Sequence, residues 1–274
     1  MLLSTPRSSA DKTAIKVAVL LSVGSHPLTG RGRRAEQDAR ALEMALALPQ
    51  ADAQLIHAGR LNDESEPALR SYLGMGPQQM TLIQQPKQAD VLPALEKHLR
   101  QLGPKLILCG SRAEAGEGSG LLPYLLAEKL GWPLISGLAA IESVDGSSAT
   151  VLQALPRGQR RRLRVKLPAL LTIDSAAPVA RQSAFGPARR GQLAEVDAPV
   201  QMDTEQEGWE VQPARKRPKR LKIIKATSAR DRFKAAAAKS EGSGGQVLKD
   251  ITAAEGADAV LKLLMEEGVL RVSS

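Results

Sequence analysis

LILCGSRAEAGEGSGLLPYLLAEKLGWP, residues 106–133, is the stretch of sequence that decides the fold. Residues 106–109 are all apolar, which is typical of a strand buried on both faces of a parallel sheet. Residues 110–120 form a loop broken by glycines. The apolar residues that follow, up to position 130, predict a helix that ends at Gly131 and Pro133. A strand that leads through a glycine loop into a helix is a unit of the ligand-binding α/β folds.

The same rhythm precedes this stretch. Apolar runs at 15–23, 53–58 and 80–83 predict three more strands. Amphipathic patterns at 35–48, 66–73 and 89–102 predict the helices between them. This alternation indicates a parallel sheet covered by helices on both faces, with ligands bound beyond the carboxyl ends of the strands. The loops after Val23, Ala58 and Cys109 are therefore the candidate ligand loops.

The rhythm changes after Pro133. Residues 138–143, 150–155, 162–167 and 169–173 predict strands joined by short turns, and Asp145-Gly146 is a hairpin signal. In residues 162–167 polar and apolar residues alternate, which predicts a strand with one buried face. These segments predict an antiparallel extension of the sheet.

Three regions follow from these patterns. Residues 1–14 are polar and are expected to be disordered, and residues 15–174 form the α/β domain. Residues 175–274 carry little periodic pattern beyond a short strand at 221–224, a helix from Ser228 and an amphipathic closing helix at 253–268. We interpret 175–274 as an arm that packs on a partner subunit.

Composition excludes several classes of protein. Aromatic residues make up 2% of the chain, too few for a stacking platform on single-stranded nucleic acid. We find no phosphate-binding Walker loop, no histidine or cysteine spacing for a metal and no nucleophile elbow, so no catalytic or metal residues are predicted. The single cysteine, Cys109, is expected to be buried, and a reducing, cytoplasmic location is expected. No apolar run approaches the roughly 20 residues of a membrane span.

The net charge of +9 is concentrated in two clusters, at 157–166 and 215–225. Such clusters bind nucleic acid in some proteins, so a nucleic-acid-binding protein is one alternative function. The first cluster coincides with a predicted strand, which favours a solvated face or a subunit contact.

The glycine loop is a candidate phosphate site. Glycines allow backbone amides to approach a phosphate, and the N-terminus of the following helix favours its charge. An ordinary flexible turn is an equal alternative from spacing alone. Glu114 and Glu117 oppose a phosphate, whereas Ser111, Arg112 and Ser119 favour it. The candidate ligand residues are Ala58, Gly59, Gly110, Arg112, Gly116, Gly118, Ser119 and Gly120.

Several motifs resemble the β subunits of electron transfer flavoproteins, over about residues 15–190 with weaker similarity at 219–224. The similar segments are Lys16-Val17-Ala18-Val19, the ALEMAL run at 41–46, Ser119-Gly120, the LAEKLGWP run at 126–133 and the LRVKLPALLT run at 163–172.

The resemblance implies a Rossmann-like fold of the adenine-nucleotide-binding type and a heterodimer. In that family the α subunit holds most of an FAD, and the β subunit has a nucleotide site that often holds AMP. The β subunit also has a C-terminal arm around α and a loop that docks partner dehydrogenases. The anchor of that docking loop falls here on Phe185. Electrons would pass from the dehydrogenase to an acceptor such as a membrane quinone reductase, with no bond-making catalysis, no nucleic acid and no membrane insertion.

The chain departs from the family pattern in ways that indicate a divergent branch. These departures leave open whether AMP, a second FAD or nothing fills the β nucleotide site. An adenine-nucleotide-binding regulatory protein of the same fold is the remaining alternative. The departures are Ser22 for a lysine, Ala35-Glu36 for Asn-Pro, Pro123-Tyr124 for Gly-Pro, and Glu114, Gly116 and Glu117 for an acidic triplet.

Overall fold

A computed structural model describes residues 14–49, 51–116, 118–210, 212, 228, 230, 248–249 and 251–266. Its elements in chain order are β1 (Ile15–Leu20), β2 (Val23–Ser25), β3 (Gly32–Arg34), α1 (Glu36–Ala47), β4 (Ala51–Gly59), α2 (Ser65–Leu73), β5 (Gln79–Gln84), α3 (Val91–Leu102), β6 (Leu106–Gly110), α4 (Leu122–Leu130), β7 (Leu134–Val144), β8 (Ser148–Ala154), β9 (Arg160–Lys166), β10 (Ala169–Ile173), α5 (Phe185–Arg190), β11 (Gln192–Val196), α6 (Thr204–Glu207) and α7 (Ala253–Glu266).

One large sheet organises the molecule. Among the described residues it has nine strands in the order β11-β5-β4-β1-β6-β10-β7-β8-β9. The strands from β11 to β7 run parallel, and β8 and β9 extend the sheet in antiparallel fashion. Strands β6 and β10 are buried along their whole length, as expected of largely apolar strands in the middle of a parallel sheet. The predicted α/β fold, with its parallel sheet and antiparallel extension, is confirmed.

Helices cover both faces of the sheet. Buried side chains of α1 and α2 pack on one face, and those of α3 and α4 pack on the other. Local sequence fixes the helix ends. Asp90 caps α3 by accepting a hydrogen bond from the Leu92 N–H at 2.9 Å, and Gly103 ends it in the left-handed conformation, φ 60°.

The order in which the chain adds strands to the sheet reverses at β1. The chain passes from β1 through α1 to β4 on one side of β1, and later reaches β6 on the other side. The carboxyl ends of β1 and β6 and the N-terminus of α1 meet at this point, which we call the switch point. Ligands of open α/β sheets bind at such a position.

Two predicted details were wrong. The predicted first strand, 15–23, ends at Leu20 in the structure, and Val23 instead starts a separate two-stranded hairpin, β2 with β3. No strand was predicted between 175 and 220, yet β11 pairs in parallel with β5 at the edge of the large sheet. Residues up to Glu210 belong to one compact unit with the α/β domain.

The second unit begins at Val211. Its described part includes α7, which agrees with the predicted closing helix and exposes Val260, Leu261, Leu263 and Met265. The predicted strand at 221–224 and the alanine run at 235–238 lie outside the described residues. No described helix has the length and apolar character needed to cross a bilayer.

Candidate nucleotide site and docking segment

Asp38 joins the two strand ends at the switch point. Its Oδ2 accepts hydrogen bonds from the Ser22 N–H at 2.7 Å and the Ser22 hydroxyl at 2.5 Å, and its Oδ1 accepts one from the Gly110 N–H at 2.8 Å. The residue is 4% exposed. Burial raises the pKa of the carboxyl to about 6, although the bonds from Ser22 and Gly110 oppose the rise. Asp38 therefore holds β1, α1 and β6 together.

Glu114, in the glycine loop, covers the N-terminus of α1. Its Oε1 accepts a hydrogen bond from the Glu36 N–H at 2.6 Å, and its Oε2 pairs with Arg33 Nη2 at 2.7 Å. Helix α1 has no cap from its own N-cap side chain, Ala35, so Glu114 acts as a cap supplied from another part of the chain.

Two further side chains use up backbone donors nearby. The Gln37 Oε1 accepts from the Ser111 N–H at 2.9 Å and from the Ser111 hydroxyl at 2.6 Å. The buried Tyr72 hydroxyl accepts from the Ala35 N–H at 2.8 Å and donates to the Ser22 carbonyl at 2.9 Å. Burial, with the Asp38 carboxylate nearby, raises the pKa of Tyr72 well above its usual value. The hydroxyl therefore stays protonated and keeps its donor role.

His57 lies at the end of β4, next to two of the predicted ligand residues. Its Nδ1 lies 2.8 Å from the Leu21 carbonyl oxygen, and burial lowers the pKa of the ring. A neutral ring that donates from Nδ1 has a lone pair on Nε2. A Cβ added to Gly59 would come within 2.9 Å of that nitrogen, so glycine allows the imidazole to lie against the backbone.

The predicted ligand residues lie at two strand ends and in the glycine loop. Ala58 and Gly59 end β4 and Gly110 ends β6, with β1 between them. Since neighbouring strands lie about 4.8 Å apart, these two ends are about 10 Å apart. The Gly110 N–H is already bonded to Asp38, and a Cβ there would approach Asp38 Oδ1 to 2.5 Å.

The rest of the glycine loop is exposed. Arg112, Gly116, Gly118 and Ser119 are accessible to solvent, and Gly120 is half-buried. Ser119 faces α4: its hydroxyl accepts from the Leu121 N–H at 3.1 Å. Gly120, at φ 79°, lies close to the Ser111 carbonyl. As a phosphate cradle these residues stay a prediction.

The segment from Asp174 to Gly191 crosses α1 and α2 and carries the predicted docking residue. Arg181 binds both carboxylate oxygens of Glu43 on α1, each at 2.8 Å, and this pairing lowers the pKa of Glu43. The Ala184 N–H donates to the Gly74 carbonyl at 2.9 Å. A Cβ at Gly74 would come within 2.0 Å of Ser183 Oγ, so glycine is needed for this close approach. Phe185 begins α5 directly after these contacts and is 79% exposed.

The first basic cluster lies on β9 at the edge of the sheet, as its alternating pattern predicted. Arg162 pairs with Glu142 at 2.7 Å, and Arg164 reaches Asp145 at 3.7 Å. The cluster is thus partly neutralised by neighbours in the antiparallel extension. The second cluster, at 215–225, lies outside the described residues.

The described residues contain no group of histidine, cysteine and acidic side chains that could hold a metal ion. Cys109 is buried, as predicted, and burial raises the pKa of its thiol far above its usual value. Such a thiol is a poor nucleophile.

Sequence reasoning missed Asp38 as a structural residue, although a signal was present. Asp38 occupies the same helical stripe as Ala41, Leu42 and Ala45, all of which are fully buried. A charged residue within an apolar stripe indicates a buried carboxylate with specific partners. The role of Glu114 left no comparable signal, because its partner, Glu36, is 78 residues away.

Comparison with known proteins covers most of the chain. Residues 29–201 match the family model described as the electron transfer flavoprotein domain. A Chromohalobacter salexigens protein named electron transfer flavoprotein subunit beta is 63% identical over 263 residues, 96% of this chain and 98% of that protein. A Syntrophomonas wolfei protein of the same name is 32% identical over 114 residues, 40% of this chain and 44% of that protein.

Proposed function

The chain belongs to the electron transfer flavoprotein family, and we propose that it is the β subunit of a heterodimeric electron carrier of that family. The observation that carries this proposal is the 63% identity, over nearly the whole of both chains, to a protein named as such a subunit. The partner is an α subunit that holds most of an FAD. That FAD accepts electrons from a dehydrogenase and passes them to an acceptor, such as a membrane quinone reductase.

The β chain in this proposal binds and orients, and it does no bond-making chemistry. Its α/β unit supports the flavin cleft formed with α. Its second unit supplies the arm for α, and the exposed apolar side chains Val260, Leu261 and Leu263 of α7 support that role. We propose the cytoplasm as its location, since a lone buried thiol fits a reducing compartment.

Phe185 is the proposed anchor for the donor dehydrogenase. The segment that leads to it is held on α1 by the Arg181–Glu43 pair and on α2 by the Ala184–Gly74 bond, while the ring itself faces solvent. Holding the backbone in place lowers the entropy lost when a partner binds, and a large exposed aromatic ring suits a binding hot spot. Arg189 and Arg190 follow on α5 and favour an acidic rim around the pocket that receives the ring.

Co-expression with the α subunit tests the proposal. We expect a stable yellow complex with one FAD per heterodimer, and a donor dehydrogenase should bleach its flavin absorbance when substrate is added. The β chain expressed alone should be colourless. A colourless, stable monomer that binds ATP saturably, and that ignores α, would instead identify a nucleotide-binding regulatory protein of the same fold.

The nucleic-acid alternative has a direct test. Binding driven by basic clusters weakens steeply with salt, because each phosphate contact releases counterions. We expect no specific binding of duplex DNA at physiological salt. Tight binding with a steep salt dependence would reverse this expectation.

A further inference from the structure

The N-terminus of α1 lies where a parallel α/β sheet usually offers free backbone amides to a phosphate. Such sites work because the first N–H groups of a helix lack partners within the helix and the helix dipole favours a negative charge. A ligand phosphate at the switch point would need these donors to be free and the neighbouring charges to be positive. The bonding of each donor in this chain can therefore decide whether a phosphate fits.

Five backbone donors around the switch point already have a partner within the chain. The Ser22 and Gly110 N–H groups bond to Asp38 at 2.7 and 2.8 Å. The Glu36 N–H bonds to Glu114 at 2.6 Å. The same is true of two neighbouring donors, the Ser111 N–H, which bonds to Gln37 at 2.9 Å, and the Ala35 N–H, which bonds to Tyr72 at 2.8 Å.

The charge at the switch point is also wrong for a phosphate. Two of the acceptors, Asp38 and Glu114, are carboxyl groups, and they would repel a phosphate placed between them. Arg33, the cation that contacts Glu114 among the described residues, is already paired with it at 2.7 Å. Glu114 is also tightly seated, since a Cβ added to Gly24 would come within 2.6 Å of its Oε2. The residues present do not fit an AMP phosphate at this position.

We propose that the Glu114 carboxylate takes the place of a ligand phosphate at the N-terminus of α1, so that the switch point is closed by the chain itself and holds no nucleotide. The inference rests on the proposed function in one respect: the site concerned is the β nucleotide site of that carrier. It extends that function by giving the β chain a fold that is complete without a structural nucleotide. Glu114 thus acts as a built-in anion that ties the glycine loop to the helix.

Nucleotides released from the native heterodimer provide the first test. Denaturation followed by mass spectrometry should yield FAD but no stoichiometric AMP, ADP or ATP. One AMP per heterodimer, or a second FAD, would overturn the inference. The FAD content separates this result from the proposed function, because loss of FAD would count against the carrier itself and not against the closed switch point.

Substitution of Glu114 provides the second test. Glu114→Ala removes the cap of α1, and we expect Tm to fall by about 2–4 °C, as for loss of a helix cap in a chain of this size. Millimolar phosphate, at ionic strength matched with chloride, should then raise the Tm of Glu114→Ala but not that of the wild type. Equal responses of the two proteins, or no response of the variant, would refute the stand-in role.

Two matched variants complete the design. Glu114→Gln keeps an acceptor for the Glu36 N–H and lacks the charge, so we expect a smaller loss in Tm and no response to phosphate. Glu128→Ala removes an exposed carboxylate from α4, and should leave both Tm and the phosphate response unchanged. A phosphate response in Glu128→Ala equal to that of Glu114→Ala would mean that only net charge matters, and would also refute the proposal.

Discussion

The switch point and the segment that carries Phe185 differ in whether their side chains have partners within the chain. At the switch point, the buried side chains of Asp38 and Tyr72 accept hydrogen bonds from backbone N–H groups at the end of β1 and at the start of α1. On the crossing segment the backbone is held in place, but the large apolar side chain of Phe185 is left in solvent. Polar groups that are satisfied internally stabilise the fold, whereas an exposed aromatic ring on a fixed backbone is available to a partner.

The comparison indicates where function resides in this chain. The place at which the fold type usually binds its ligand has become part of the scaffold. Two of its outward-facing apolar features are Phe185, on the segment between β10 and β11, and the exposed face of α7. Three experiments test the contrast, beginning with the largest expected effect.

The buried charge of Asp38 should make stability depend on pH. The pKa of an aspartate is about 4 in an unfolded chain, and burial raises that of Asp38 to about 6, a difference worth about 3 kcal/mol. Between these values the folded chain keeps a proton that the unfolded chain has lost, so raising the pH lowers stability. Relative to Asp38→Asn, the wild type should lose about 3 kcal/mol of unfolding free energy from about pH 4 to about pH 6 and no more above it.

Urea unfolding of both proteins across this range measures the effect, and taking the difference cancels the other titrating groups. Ser22→Ala serves as a second probe. It removes the hydroxyl that donates to Asp38 at 2.5 Å, which should raise the folded-state pKa and extend the upper end of the window to higher pH. A difference between wild type and Asp38→Asn that is independent of pH would contradict the role assigned to Asp38.

Replacement of Phe185 should affect docking but not the fold. A hot-spot side chain contributes about 2 kcal/mol or more, so Phe185→Ala should lower the kcat/KM of the donor dehydrogenase for the carrier about 30-fold. FAD content and Tm should not change, because the ring is 79% exposed. Val179→Ala is the matched control, since Val179 is a 77% exposed apolar residue of the same segment. It should change kcat/KM by no more than about twofold. Equal losses in the two variants would argue against a single anchor.

The sequence predicted most of the fold because its strongest signals are local. Largely apolar runs mark β1, β6 and β10, and glycines mark the ends of α3 and α4. Strand β11, QLAEV, was missed because it is a short edge strand with a mixed pattern, and its pairing with β5 joins residues more than 100 positions apart. Tertiary pairing specifies such a strand more than its own residues do.

The candidate site was less predictable, for a related reason. The glycine loop was correctly placed after a strand and before a helix, but its ligand role rested on glycine spacing. Whether an N–H is free depends on which side chain reaches it. The decisive acceptors, Asp38 for Gly110 and Glu114 for Glu36, lie 72 and 78 residues from their donors. Position in sequence does not reveal bonds over such distances, even where each residue type is visible.

The bond between Glu36 and Glu114 can be isolated by its effect on stability. Glu36 is the first residue of α1, a position that accepts proline, and Ala35 before it is extended, with ψ 134°, as a residue preceding proline should be. Glu36→Pro removes the N–H that Glu114 accepts. Glu36→Ala is the control, because it keeps the N–H but loses the same ion pair with Arg40.

The difference in unfolding free energy between Glu36→Pro and Glu36→Ala should be measured twice, in the wild type and with Glu114→Ala. Proline also stiffens the unfolded chain, but that contribution is the same in both backgrounds and cancels. The remaining coupling should be about 1.5 kcal/mol, the lower end of the range for a hydrogen bond to a charged group, because this bond is exposed. Zero coupling would mean that Glu114 does not cap α1, and the switch point would then have a free donor after all.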